Sequence, residues 1–121
     1  MKPLLAKGLN TFTKRFSDFI NCEIRSLEIV TSTTIKLSLA TQDESREFDW
    51  ISLNLEFNSV SDAKLIDESK FHLLDTSEGV SLIYDKDSFA FAVGNYKNIS
   101  RIKNAIIYVI ASNIKYEENK F

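Results

Sequence analysis

Four residue types on which protein chemistry often depends are scarce in this chain of 121 residues, which has three Gly, one Pro, one Cys and one His. A single Cys excludes an internal disulfide framework. Structural zinc sites draw on several Cys or His ligands, and phosphate-binding loops are rich in Gly, so neither kind of site is expected. Acid–base catalysis usually relies on His, and His72 stands alone. We therefore expect a protein that is not an enzyme and that holds no metal and no cofactor.

Long hydrophobic runs are also missing. The longest apolar stretch, residues 105–111, is far shorter than the ~20 residues that cross a bilayer. Lys7 interrupts the apolar residues at the start of the chain, where a signal peptide would have an unbroken run. These features predict a cytoplasmic protein without a membrane contact.

The residues that are abundant describe a globular domain. The chain is 44% hydrophobic and 26% charged, with nine Phe and four Tyr, which is enough apolar material for one core at this length. We expect a single domain over residues 1–121. It would comprise a helix over about 3–19, a β-rich body over about 20–116 and a loose tail over 117–121.

Two hydrophobic periods divide the chain. A stripe at spacings of three and four predicts an N-terminal amphipathic helix, with Pro3 in its first turn. From about residue 20 the period becomes two, and short apolar runs separated by polar turns, including 63–66 and 71–74, predict antiparallel strands up to 105–116. The fold class is α+β and mostly β: the helix packs on an antiparallel meander sheet, or on a partly closed barrel, of about seven or eight strands. The helical stripe consists of Leu5, Leu9, Phe12, Phe16 and Phe19.

The net charge of −2 conceals an uneven distribution. Residues 1–42 have a net charge of +3, residues 43–87 of −8 and residues 88–121 of +3. A dense acidic surface attracts basic partners and raises the rate of association. The same acids would also keep a β-rich surface soluble and prevent strands from pairing edge to edge, so both explanations stay open.

Other residues have local explanations. Cys22 and His72 are formally available as a nucleophile–base pair, but Cys22 is in phase with the apolar Ile24 and is expected to be buried. Asp85 and Asp87 flank a turn without matching a calcium loop. A few bases near aromatic residues are ordinary in a chain of pI 5.4, so no direct nucleic-acid binding is expected. These bases and aromatics are Tyr96, Lys97, Arg101, Lys103, Tyr108 and Lys115.

Four segments follow the N-terminal helix in a characteristic order. They are NCEIRSLEI at 21–29, WISLNLEF at 50–57, VSDAKLID at 60–67 and NIKY at 113–116. This layout resembles that of small β-rich immunity proteins found beside polymorphic toxins, including those of contact-dependent growth inhibition in bacteria. The resemblance implies a cytosolic, non-catalytic inhibitor that binds a cognate toxin domain and blocks its active site or its substrate entry.

The acidic middle of the chain suits a basic toxin domain such as a nuclease. We therefore predict that carboxylates between residues 62 and 87 bind the partner. The alternative is a small ligand-binding or adaptor β-domain in which Trp50, Phe89 and Phe91 line a pocket. The predicted partner-binding residues are Asp62, Asp67, Glu68, Asp75, Glu78, Asp85 and Asp87.

Overall fold

The computed structural model describes residues 1–120, which form one open antiparallel sheet with short helical segments. The strands are β1 (Lys2–Leu4), β2 (Glu23–Thr31), β3 (Thr34–Asp43), β4 (Asp49–Lys64), β5 (Val80–Asp85), β6 (Ser88–Val93) and β7 (Tyr108–Lys120). The α-helices are α1 (Leu9–Arg15) and α2 (Ile99–Ile102), and 3-10 turns occupy Ala6–Gly8, Ser17–Phe19, Glu44–Arg46 and Glu68–Leu73. The mostly β architecture with a short N-terminal helix is therefore confirmed.

The two longest strands, β4 and β7, lie at the centre of the sheet. The strand order is β2-β3-β4-β7-β6-β5, and β1 pairs with the later part of β7. The sheet thus consists of two meanders, β2–β4 and β5–β7, joined by the pairing of β4 with β7. It is not the single meander that the sequence predicts, because residues 65–79 leave the sheet after β4.

One face of the sheet carries the main core. Leu37 and Leu55 are directly paired there, as are Leu39 and Leu53, and all four are buried. The N-terminal region covers this face with an aromatic cluster in which the rings of Phe12 and Phe16 lie 5.1 Å apart. Fully burying a side chain of this size stabilises the fold by ~1.5–3 kcal/mol. The predicted apolar stripe is thus confirmed for Leu9, Phe12, Phe16 and Phe19.

The helix itself is shorter than the predicted 3–19. Residues Lys2–Leu4 form β1, and Leu4 is buried opposite Ile114 of β7 while Leu5 is exposed. Pro3 is tolerated because an edge strand does not need every N–H. At the other end, the positive φ values of Ser17, Asp18 and Phe19 end the helix, because they are incompatible with a right-handed helical turn.

Three other boundaries differ from the prediction. Residues 63–66, predicted as a separate strand, instead continue β4, which ends at Lys64. Residues 71–74, predicted as a strand, belong largely to the 3-10 turn Glu68–Leu73, in which Phe71 is buried. A four-residue apolar run does not distinguish a strand from a helical turn by periodicity alone. The predicted end of the last strand at 116 is also too early, because β7 pairs with β4 as far as Lys120. Residue 121, the last of the predicted loose tail, lies outside the described residues.

The opposite face of the sheet is covered only over β5, β6 and β7. There Ala90, Ala92 and Ile110 pack against Ile102 of α2, a helix that the sequence analysis did not predict. Over β2, β3 and β4 this face remains open and polar, and Lys36 pairs with Glu56 across it at 3.8 Å.

Candidate protein-binding surface

Residues 65–79 carry four of the predicted acids along the edge strand β2. The Glu68 carboxylate accepts a hydrogen bond from the Leu27 N–H at 3.0 Å. Nearer the start of β2, the Thr76 hydroxyl donates to the Cys22 carbonyl at 2.7 Å, and the Asn21 N–H donates to the Thr76 carbonyl at 2.8 Å. These bonds fix the segment to β2 at two places, so its acidic side chains have a defined backbone beneath them.

Two more acids join this segment from earlier in the chain. Glu23 follows Cys22 at the start of β2. Asp18 lines a cleft of about 360 Å³ together with Glu78 of the segment 65–79. The backbones also touch, because a Cβ added to Gly79 would lie 2.1 Å from the Asp18 carbonyl oxygen. We call the resulting group the acidic crossover surface; it consists of Asp18, Glu23, Asp67, Glu68, Asp75 and Glu78.

Hydrogen bonds favour the ionised form of two carboxylates on the acidic crossover surface. The backbone N–H and side chain of Ser69 lower the pKa of Asp67, and the side chain and N–H of Ser77 lower that of Asp75. Two bases lie within the same elements: Arg25, whose guanidinium is 3.7 Å from Glu23, and Lys70. Lys97 lines the cleft shared by Asp18 and Glu78, so six carboxylates stand against three bases and the surface remains negative.

The other three predicted acids lie elsewhere. Asp62 accepts a hydrogen bond from the Tyr108 hydroxyl at 3.1 Å, and the Lys103 ammonium lies 3.8 Å away. Asp85 accepts the Ile99 N–H at the start of α2, at 3.1 Å. Asp87 has a φ of 62° in the turn between β5 and β6. The structure therefore places four of the seven predicted residues on the acidic crossover surface, Asp62 and Asp85 near α2, and Asp87 in the β5–β6 turn.

Cys22 and His72 line one small depression together with Glu23 and Phe71. Cys22 is buried, and its burial raises the pKa of the thiol to about 12. A nucleophilic cysteine needs the opposite shift, because the thiolate is the reactive form. Their proximity therefore does not create an activated thiol.

The three aromatic residues of the ligand-pocket alternative do not come together. Phe89 and Phe91 are buried in the main core, where the ring of Phe91 lies 5.6 Å from that of Phe57. Trp50 is exposed instead, beside an open depression of about 600 Å³ at the β3–β4 hairpin. The prediction of a pocket lined by these three residues is therefore wrong.

No protein family, curated protein or solved structure matches the chain. Over residues 1–120, no three His, Cys, Asp or Glu side chains are grouped so that they could hold a metal ion. In the same part of the chain, no helix has the length and apolar character needed to cross a membrane.

Sequence reasoning missed Asp18 and Glu23 as members of the acidic surface. Both lie in the first third of the chain, whose net charge of +3 does not indicate an acidic surface. Their placement depends on the bonds that hold Thr76 to Asn21 and Cys22, which join positions more than fifty residues apart. No local pattern predicts such a contact.

Proposed function

We propose that this chain is a non-catalytic immunity protein that binds and neutralises a basic toxin domain through the acidic crossover surface. The observation that carries the proposal is the gathering of Asp67, Glu68, Asp75 and Glu78 with two acids from distant positions on one negative surface. The resemblance in strand order to toxin immunity proteins supplies the class of partner. A nuclease is a suitable partner, because its substrate site is itself basic.

Such a surface acts in two ways. Its negative potential attracts a basic domain and raises the association rate. Its carboxylates then occupy positions that nucleic-acid phosphates would take, which blocks substrate entry without any chemical step. Because hydrogen bonds to β2 already fix the underlying backbone, the segment loses little backbone conformational entropy on binding.

The proposal is tested by co-expression with the product of the adjacent reading frame. We expect a complex that co-purifies and cells that survive production of that protein. Absence of both the complex and the protection would overturn the proposal.

Charge-neutral variants then locate the surface. The triple variant Glu23→Gln, Asp75→Asn, Glu78→Gln is expected to reduce the association rate by about tenfold at low salt. A matched triple variant, Glu28→Gln, Asp87→Asn, Glu117→Gln, removes three exposed charges elsewhere and should leave the rate within about twofold. Equal effects of the two variants would show that net charge alone, and not this surface, matters.

A further inference from the structure

The hairpin between β3 and β4 exposes two large aromatic side chains. Phe48 is 51% exposed, and Trp50, the sole tryptophan of the sequence, is 42% exposed. Trp50 borders the 600 Å³ depression, which Glu47, Asp49 and Lys120 also line. Aromatic rings presented in this way are enriched at the centres of protein interfaces.

The backbone of this hairpin is strained at two consecutive residues. Glu47 and Phe48 have φ values of 56° and 66°. A residue with a side chain pays free energy in this left-handed region, and turn chemistry favours Gly or Asn there. Phe48 therefore occupies a backbone conformation that disfavours it, although about half of its surface stays exposed. Strain of this kind persists where the surrounding structure fixes it, and it concentrates at binding sites.

Four hydrogen bonds fix the hairpin. The Asp43 carboxylate, which is inaccessible to solvent, accepts bonds from the N–H and hydroxyl of Ser45 at 3.0 and 2.7 Å. The Phe48 N–H donates to the Asp43 carbonyl at 2.9 Å, and the Gln42 amide donates to the Phe48 carbonyl at 3.3 Å. The two aromatic residues are thus held on a rigid support, which lowers the entropy cost of binding.

The charges around the rings are mainly acidic. Arg46 lies 3.2 Å from Asp43, which also pairs with Arg15, and Arg15 pairs in turn with Glu118. These two bases and two acids together have no net charge. Glu44, Glu47 and Asp49 remain within the hairpin, against Lys120 at its border. An aromatic face next to carboxylates favours a lysine or arginine side chain, which gains both a cation–π contact and an ion pair.

We propose that Phe48 and Trp50 form the central contact of a protein interface whose partner is a basic protein that places a lysine or arginine against Trp50, beside Glu47 and Asp49. The inference rests on the proposed function in requiring a basic protein partner. In this inference the aromatic hairpin slows dissociation of the complex, and the acidic crossover surface raises the association rate.

Single substitutions test the contact in the complex with the adjacent-frame product. Phe48→Ala and Trp50→Ala should each increase the dissociation rate by at least about tenfold. Tyr84→Ala is the matched control, because Tyr84 is an aromatic residue of similar exposure, 45%, on β5. It should change the dissociation rate by less than about twofold. Unchanged dissociation in both hairpin variants would overturn the inference while leaving the proposed function intact.

A glycine variant separates the ring from the strain. Phe48→Gly suits the positive φ, so this protein should unfold at or above the temperature of the original. We expect it to lose affinity as Phe48→Ala does. A fully folded Phe48→Gly protein with undiminished affinity would show that the ring makes no contact.

A random-peptide library displayed on phage makes the test independent of the toxin. We expect selection on the original protein to yield peptides that contain Lys or Arg and fail to bind the Trp50→Ala protein. These peptides should also shift the single indole N–H resonance of ¹⁵N-labelled protein. Such peptides would support the inference even if the adjacent-frame product forms no complex, whereas selected peptides that bind Trp50→Ala equally well would overturn it.

Discussion

At the residue scale, Asp43 shows how a charge is kept ionised inside this fold. Its carboxylate has no solvent exposure and lies 2.6 Å from the Arg15 guanidinium of α1. Arg15 also forms an ion pair with Glu118 of β7 and stacks over Phe16 with 4.8 Å between the guanidinium carbon and the ring centroid. One side chain therefore ties α1 to the ends of β3 and β7.

Removing Arg15 should be costly because it breaks the closer of the two ion pairs of the buried Asp43 and leaves only Arg46, 3.2 Å away, as its basic partner. Arg15→Met is expected to lower the free energy of unfolding by roughly 3 kcal/mol, the low end of the cost of breaking a buried ion pair. Urea denaturation measures this value. Lys36→Met is the control, because it breaks the exposed pair with Glu56 and should cost about 0.5 kcal/mol. Similar values for both variants would contradict the role assigned to Arg15.

The same pair predicts a dependence on pH. The hydrogen bond from Arg15, reinforced by Ser45, lowers the pKa of Asp43 from 3.8 to about 2. Because the pKa is lower in the folded state, its contribution to stability is present above pH 3.8 and is lost as the pH falls towards 2. The contribution is on the order of 2 kcal/mol.

Urea denaturation between pH 5 and pH 2 provides the measurement. The difference in unfolding free energy between the original protein and Asp43→Asn should shrink as the pH falls through this window. A difference that stays constant would show that Asp43 does not titrate with a lowered pKa.

At the scale of elements, the contact between the Ser17–Phe19 turn and the start of β5 depends on one glycine. Gly79 has a φ of 78°, and its N–H donates to the Thr76 carbonyl. An added Cβ would meet the backbone carbonyl of Asp18, which has no flexible end that could move away. This close approach brings Asp18 beside Glu78, so it shapes the acidic crossover surface as well as the fold.

Two alanine substitutions test this contact. Gly79→Ala should lower the free energy of unfolding by about 3 kcal/mol, because backbone strain adds to a steric clash. Gly8→Ala should change it by less than about 1 kcal/mol, since a Cβ there meets nothing within 4 Å and φ is −98°. Thermal and urea unfolding of both proteins provide the comparison. A Gly79→Ala protein as stable as Gly8→Ala would contradict the geometry.

The strands with strict alternation could be predicted from the sequence. In β3 and β4 the alternating apolar residues, such as Leu37 and Leu53, face one core, and the period of two reports this directly. The aromatic stripe at Phe12 and Phe16 was likewise readable as a buried face. Hydrophobic pattern sufficed wherever one face of an element is buried.

The secondary structure of other segments could not be predicted from the hydrophobic pattern, because it depends on partners that are distant in the sequence. Lys2–Leu4 is a strand only because β7 lies beside it, and a helical spacing through Leu5 concealed this. Residues 71–74 are too short for periodicity to separate a strand from a 3-10 turn. The candidate surface could be predicted in part. The acidic segment 67–78 is evident in the sequence, whereas the positions of Glu23 and Phe48 on the surface are known only from the fold.

At the scale of the whole molecule, the net charge of −2 conceals a surface on which negative charges are concentrated. Asp67, Glu68, Asp75 and Glu78 remain on a negative surface, whereas Asp62 lies near Lys103. A negative region on one side of a small protein orients a charged partner before contact. The physical test of such orientation is its sensitivity to salt.

The association rate with the adjacent-frame product should therefore fall steeply with ionic strength. We expect a decrease of about tenfold between low salt and roughly 0.15 M, where the Debye length is ~8 Å, with little change in dissociation. Stopped-flow measurements over a salt series provide both rates. The Glu23→Gln, Asp75→Asn, Glu78→Gln protein should give a flatter dependence, and a slope identical to that of the original protein would contradict steering by this surface.

The central position of β7 has a consequence for biosynthesis. β7 pairs with β4, β6 and β1, yet it leaves the ribosome after all three of these strands. Until residues 108–120 have emerged, the inner edge of β4 has no partner and the apolar residues around Phe57 stay uncovered. The sheet, built from contacts of high sequence separation, can therefore close only after β7 has been synthesised, and it is expected to close slowly.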